Sequence, residues 1–198
     1  MTLEVSLLGE ENYKTRIKCW INYLAASSLS GALTGFLYTL LIFVVFSWLP
    51  YILKMVFMII IVGLYMMHDY KIINLKVPQR KWQIPATWVN GSSVRNMWVW
   101  GSILGAGIFT YLPYMTFYLL YIYVGLFKDP TFGMLFGLVY GFSRAVPTIL
   151  FSINRTELEM EKIKSLYKKK NGFFKFANGI SSMLLLIFLI VHFILSVQ

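Results

Sequence analysis

The chain has 198 residues, 58% hydrophobic and only 13% charged, with a formal net charge of +10. Soluble domains carry about a quarter charged residues, so this composition excludes that class and puts the chain in a bilayer. The basic excess lies in the gaps between long apolar runs, where membrane orientation requires it, which argues against nucleic acid as a partner.

The N-terminal segment sets Glu4, Glu10 and Glu11 beside Lys14, Arg16 and Lys18. It lacks the short apolar core and small-residue cleavage site of a removable signal, so the first span is expected to insert the mature protein. Cys19 is the one cysteine, which leaves no intramolecular disulfide, CxxC pair or cysteine-rich metal site.

A helix crosses the hydrocarbon core with about 20 apolar residues. Five runs meet that length, at about 23–48, 51–67, 98–127, 131–153 and 173–197. They predict an all-α, polytopic membrane helix bundle forming a single transmembrane domain over 1–198, with loops 68–97 and 154–172. Leu49 and Pro50 separate the first two runs, and Lys128, Asp129 and Pro130 separate the third from the fourth, so both pairs read as hairpins. The third run is overlong and contains Pro113, which predicts tilt or a break near that residue.

If all five runs cross, 15 of the 18 basic residues fall on one side, against Lys54 and Lys128 on the other. By the positive-inside rule the N-terminus is cytoplasmic and the C-terminus outside. The expected location is the cell membrane, as a multi-pass protein of a bacterial plasma membrane.

The loop 68–97 holds Pro78, Pro85, Arg80, Lys81, Trp82 and Trp88. It reads either as a segment lying along the headgroup layer or as a cytoplasmic docking surface. In 155–170, Glu157 and Glu161 precede Lys164 and Lys168 at spacings that support an exposed helix, with anionic lipid at Lys168, Lys169 and Lys170 as the next reading.

Within the spans, glycines recur four apart at Gly31 and Gly35, at Gly101 and Gly105, and at Gly133, Gly137 and Gly141. Lipid supplies no hydrophobic drive between helices, so such stripes carry close packing. Arg144 is the sharper feature. It lies about 20 Å along the fourth span, past the midplane toward the cytoplasm. An arginine at a helix centre costs about 2.5–3.5 kcal/mol to insert, and no acidic residue lies in any span. One reading is structural, an arginine that snorkels toward the cytoplasmic interface; in the other its candidate partners are backbone carbonyls, the hydroxyls of Thr110, Tyr111, Tyr140 and Ser143, water, lipid phosphate, an anionic ligand, or a carboxylate of another subunit. His68 and His192 are too isolated for a metal site, so neither metal nor cofactor is expected. No catalytic constellation is visible.

The segment from Gly101 to Tyr121, GSILGAGIFTYLPYMTFYLLY, and that from Phe136 to Phe151, FGLVYGFSRAVPTILF, resemble the second half of the CcdA/DsbD-type transmembrane family of cytochrome c biogenesis and thiol:disulfide interchange. Thr110 and Pro113 are similar to that family's helix break, and Tyr140, Gly141 and Pro147 to the helix that follows it. Ile60 to Met66 and Asn178 to Phe188 look like its third and sixth helices. The resemblance implies that the five spans match family helices two to six. The family's first redox helix is then missing, Tyr111 and Leu112 stand where the second cysteine would fall, and Cys19 matches neither cysteine. It therefore implies a divergent member without the redox cysteines.

Two functions follow as expectations. The first is an integral membrane subunit acting in transport, or as the membrane part of a transport or maturation complex. The second is a non-transporting scaffold that recruits an enzyme through its basic, tryptophan-bearing loop. Membrane lipids and either partner subunits or further copies of the chain are the expected partners, and enzyme activity is the least supported class.

Overall fold

The structure, a computed structural model, describes residues 13–70, 72–73, 88, 91–107, 116–153 and 157–197. Six helices account for nearly all of them: α1 Tyr13–Phe46, α2 Tyr51–Asp69, α3 Ser93–Gly105, α4 Thr116–Phe127, α5 Pro130–Ile153 and α6 Glu157–Val197. Among the described residues no strand occurs. Four segments are long and apolar enough to cross a bilayer: Tyr13–Phe46, Tyr51–His68, Pro130–Leu150 and Phe176–Leu195. The chain has the build of a membrane protein, because only helices satisfy their own backbone polar groups segment by segment in hydrocarbon.

Local chemistry places the helix ends. Pro50 has no N–H with which to prolong α1, and the hydroxyl of Ser47 and indole N–H of Trp48 donate to the carbonyls of Val44 and Val45 in its last turn, at 3.1 and 2.6 Å. Pro130 opens α5 at a position whose N–H would have no helical acceptor. The Asn96 side chain closes the turn before α3, accepting from the Gly91 N–H and donating to the Gly91 carbonyl, each at 3.1 Å.

Two boundaries depart from the expected spans. The run 98–127 is not one helix: α3 starts at Ser93 and stops at Gly105, and α4 starts at Thr116. The stop is a glycine cap. Gly107 takes φ +69°, its N–H returns to the Leu104 carbonyl at 3.4 Å, and the Ala106 N–H returns to Ser102 at 3.1 Å. This end comes before Pro113, which lies outside the described residues together with Thr110 and Tyr111. The exposed helix expected over 155–170 does not end before the last span: α6 runs unbroken from Glu157 to Val197. Gly172 alone weakens a helix by only about 1 kcal/mol, too little to end one built from good helix formers.

The chain groups into two compact units. The first holds α1 as far as Tyr38, with α3 and α5. On α5 the buried positions are Gly133, Gly137, Gly141 and Ala145, a four-residue repeat whose intervening residues are exposed or half-buried. A side chain at Gly137 would strike the Gly31 carbonyl and lie 3.2 Å from Gly35 Cα, and one at Gly31 would strike the Gly137 carbonyl. A Cβ at Gly101 would sit 2.6 Å from the Tyr23 carbonyl oxygen, and Cβ atoms at Gly105 and Gly141 would each strike the Ser27 carbonyl. Backbone of α3 and of α5 thus meets backbone of α1, both at Ser27. Hydroxyls then tie the helices: buried Ser27 donates to the Gly141 carbonyl at 2.8 Å, and Ser30 donates to Ser102.

The second unit comprises the end of α1 from Thr39, with α2, α4 and α6. Its core is larger side chains, Met55, Met58 and Val62 of α2 with Leu119 and Leu126 of α4 and Leu189 of α6. One glycine, Gly125, lets α4 approach α1, where a Cβ would lie 2.7 Å from Ile42 Cβ. Near the start of α2, the Tyr51 hydroxyl and His192 Nε2 share a hydrogen bond of 2.7 Å, with Phe127 and Phe188 packed around the pair.

Because the opposing atoms at Gly31 and Gly137 are backbone, leucine there has no flexible neighbour to displace. Gly137→Leu is expected to cost about 3 kcal/mol or more and to lose most of the monodisperse protein extracted in detergent. Gly63→Ala, at a glycine with open space around it, is expected to unfold thermally at the wild-type temperature or slightly above. Size-exclusion chromatography and thermal unfolding of both variants check this.

Candidate functional site

Arg144 and Tyr140 stand one turn apart on α5, where the helix brings residues i and i+4 to the same face. Both side chains are half-buried. The Arg144 Nη1 donates to the Tyr140 hydroxyl at 2.5 Å, and the guanidinium carbon lies 5.9 Å from the Tyr140 ring centroid. The same ring covers the end of α3: a Cβ on Gly107 would sit 3.2 Å from Tyr140 Cε1 and 3.5 Å from its hydroxyl oxygen. The charge, its tyrosine and the left-handed glycine that stops α3 therefore form one cluster.

Two further groups join it. Tyr23 on α1 is fully buried, beside Thr148 and in the field of Arg144, and its hydroxyl has no hydrogen-bond partner in good geometry. Thr148 Oγ1 lies 3.5 Å from the Arg144 carbonyl, a contact too long to count as a full hydrogen bond. Pro147 lacks an N–H, so the Ser143 carbonyl has no helical donor four residues on.

The guanidinium has five N–H donors and cannot be neutralised by losing a proton. Tyr140 offers one neutral acceptor and a ring face, a cation–π contact worth about 0.5–2 kcal/mol. Among the described residues no carboxylate is hydrogen-bonded to Arg144, so the cluster keeps its positive charge. Such a site suits an anionic group, which a guanidinium binds through paired N–H donors.

Of the residues singled out in the sequence, Arg144 and Tyr140 come together, whereas Ser143 turns back to donate to the Tyr140 carbonyl at 3.0 Å. Thr110, Tyr111, Pro113, Arg80, Lys81 and Trp82 lie outside the described residues. Trp88 is half exposed. Cys19 is buried against Tyr23, Met97 and Ala145, as a packing residue. Sequence reasoning passed over Gly107, Tyr23 and Thr148. Thr148 had a signal, being four residues after Arg144 on one helix, and Gly107 had one in its closeness to Gly105; Tyr23 had none, because only tertiary packing brings α1 to α5.

Tyr140→Phe removes the acceptor from a half-buried cation and is expected to lower stability by about 1–3 kcal/mol. Arg144→Met should remove that penalty, so the double variant is expected to be no less stable than Arg144→Met alone. Thermal unfolding of the four proteins in one detergent checks the coupling.

No known protein family, no curated protein and no solved structure matches this chain.

Proposed function

We propose that the chain is a five-crossing protein of a bacterial plasma membrane, N-terminus cytoplasmic and C-terminus outside, acting in transport or as the membrane part of a transport or maturation complex. The observation that carries this reading is the stop of α3 at Gly105, with Gly107 against the ring of Tyr140, the residue that Arg144 bonds. Interrupted helices in transporters put unsatisfied backbone where substrate binds, and intramembrane charges mark the same places.

In this reading the apolar run 98–127 counts as one crossing. Charge supports the fifth crossing. Without it the seven basic residues from Arg155 to Lys175 would lie on the opposite side from the five between Lys71 and Arg95. Arg144 takes an anionic group of a substrate or of a partner subunit, with Tyr140, packed against Gly107, holding its orientation. The resemblance to the second half of the CcdA/DsbD-type family, to whose helix break Thr110 and Pro113 are similar, is consistent with a break in the third span.

Two measurements test the proposal. Arg144→Gln is expected to abolish activity or complex formation while insertion and abundance stay at wild-type levels. In a Cys19→Ala background, Thr148→Cys is expected to react with a charged methanethiosulfonate at least about tenfold faster than Leu135→Cys on the exposed face of the same helix, because the reagent needs a thiolate and therefore water. Equal, slow labelling at both positions, together with a stoichiometric companion recovered in mild detergent, would favour the scaffold over the conduit.

A further inference from the structure

The first turns of α1 carry a second group of polar residues, which meets the Arg144 site at Tyr23. Arg16, Trp20 and Tyr23 follow one another at i, i+4 and i+7, which puts them on one face of the helix. The Arg16 guanidinium lies over two rings, 5.7 Å from the centroid of Tyr13 and 5.3 Å from that of Trp20. Trp20 and, from α3, Trp100 pack against the same buried core of Cys19, Tyr23, Met97 and Ala145.

Three polar atoms of this group are buried and without hydrogen-bond partners: Arg16 Nε, Trp20 Nε1 and Trp100 Nε1, while the fully buried Tyr23 hydroxyl lies beside Thr148. All three are obligate donors. Buried donors in native proteins are ordinarily satisfied, so a cluster composed of donors is short of an acceptor. Lys14 and Lys18 lie exposed on the same turns and add positive potential around the cluster.

We propose that this cluster binds a phosphate-bearing anion. A phosphate presents several acceptor oxygens at once, suiting a guanidinium fork together with separate indole N–H groups, and stacking on Trp20 and Tyr13 pre-orients the fork. The position also suits it. Tryptophan and arginine sit at headgroup depth, and the leading end of the first apolar helix, if cytoplasmic, meets the leaflet richest in anionic lipid. The phosphate belongs either to a lipid headgroup or to a free ion, and the chemistry of recognition is the same. The proposal goes beyond the transport reading, and its readout is binding at Arg16, which is indifferent to whether Arg144 serves transport.

The test uses the full-length protein in a non-ionic detergent, followed by native mass spectrometry with dioleoyl phosphatidylglycerol or dioleoyl phosphatidylcholine, and by tryptophan emission with inorganic phosphate. A lipid headgroup predicts phosphatidylglycerol retained about tenfold more strongly than phosphatidylcholine, the difference collapsing in Arg16→Gln. A free ion predicts a saturable emission change with phosphate that Arg16→Gln abolishes. Trp20→Phe keeps the ring and removes one N–H, so about a threefold loss is expected even if Arg16→Gln folds poorly. Wild-type-like binding in both variants, or no preference for phosphatidylglycerol together with no response to phosphate, would overturn the proposal.

Discussion

Backbone contact between helices is the constraint on which the first unit depends. Water drives apolar faces together in soluble proteins, but lipid tails solvate leucine as well as another helix does, so association in a bilayer rests on dispersion and on hydrogen bonds at short range. Gly31, Gly101, Gly105, Gly137 and Gly141 remove the side chains that would hold α1, α3 and α5 apart. Ser27 can then bond the Gly141 carbonyl across the gap. The large residues of α5, among them Phe132, Leu135, Val139 and Phe142, face outward and are exposed. In a soluble protein that distribution would be inverted; in lipid it is the stable one.

The second unit solves the same problem differently. Its core is made of methionine, leucine and valine from three helices, with one glycine, Gly125, at the closest approach to α1. Unbranched methionine fills irregular gaps between helices without demanding one rotamer. The polar pair of this unit, Tyr51 with His192, satisfies two groups that would otherwise be costly at the edge of hydrocarbon.

Close packing also frames the polar chemistry of the first unit. A charge in an apolar helix persists where neighbouring elements are held firmly enough to surround it, and the glycine contacts at Gly137 and Gly141 lie within two turns of Arg144 on the same helix. The end of α3 is held by those contacts too, since Gly101 and Gly105 rest on α1 just before the chain turns left-handed at Gly107. Rigid packing on one side and an interrupted helix on the other leave the Tyr140 ring between them.

Much of this was legible in the sequence because it depends on near neighbours. Apolar run length determined the four long spans, the spacing of four determined the glycine stripes, and the i to i+4 relation joined Arg144 to Tyr140. Helix ends were less legible: Pro113 marked a break in the third run, but the glycine cap at Gly107 acts first, and a left-handed turn depends on local backbone bonds that hydropathy does not record. The continuity of α6 through Gly172 was likewise hidden by the change from charged to apolar residues. Only the tertiary structure decided which stripe meets which helix, that Tyr23 lies in the field of Arg144, that Tyr51 pairs with His192 across 141 positions, and that Trp20 and Trp100 pack on one core. These are contacts between distant segments, set by how closely backbones approach, and no window along the chain contains both partners.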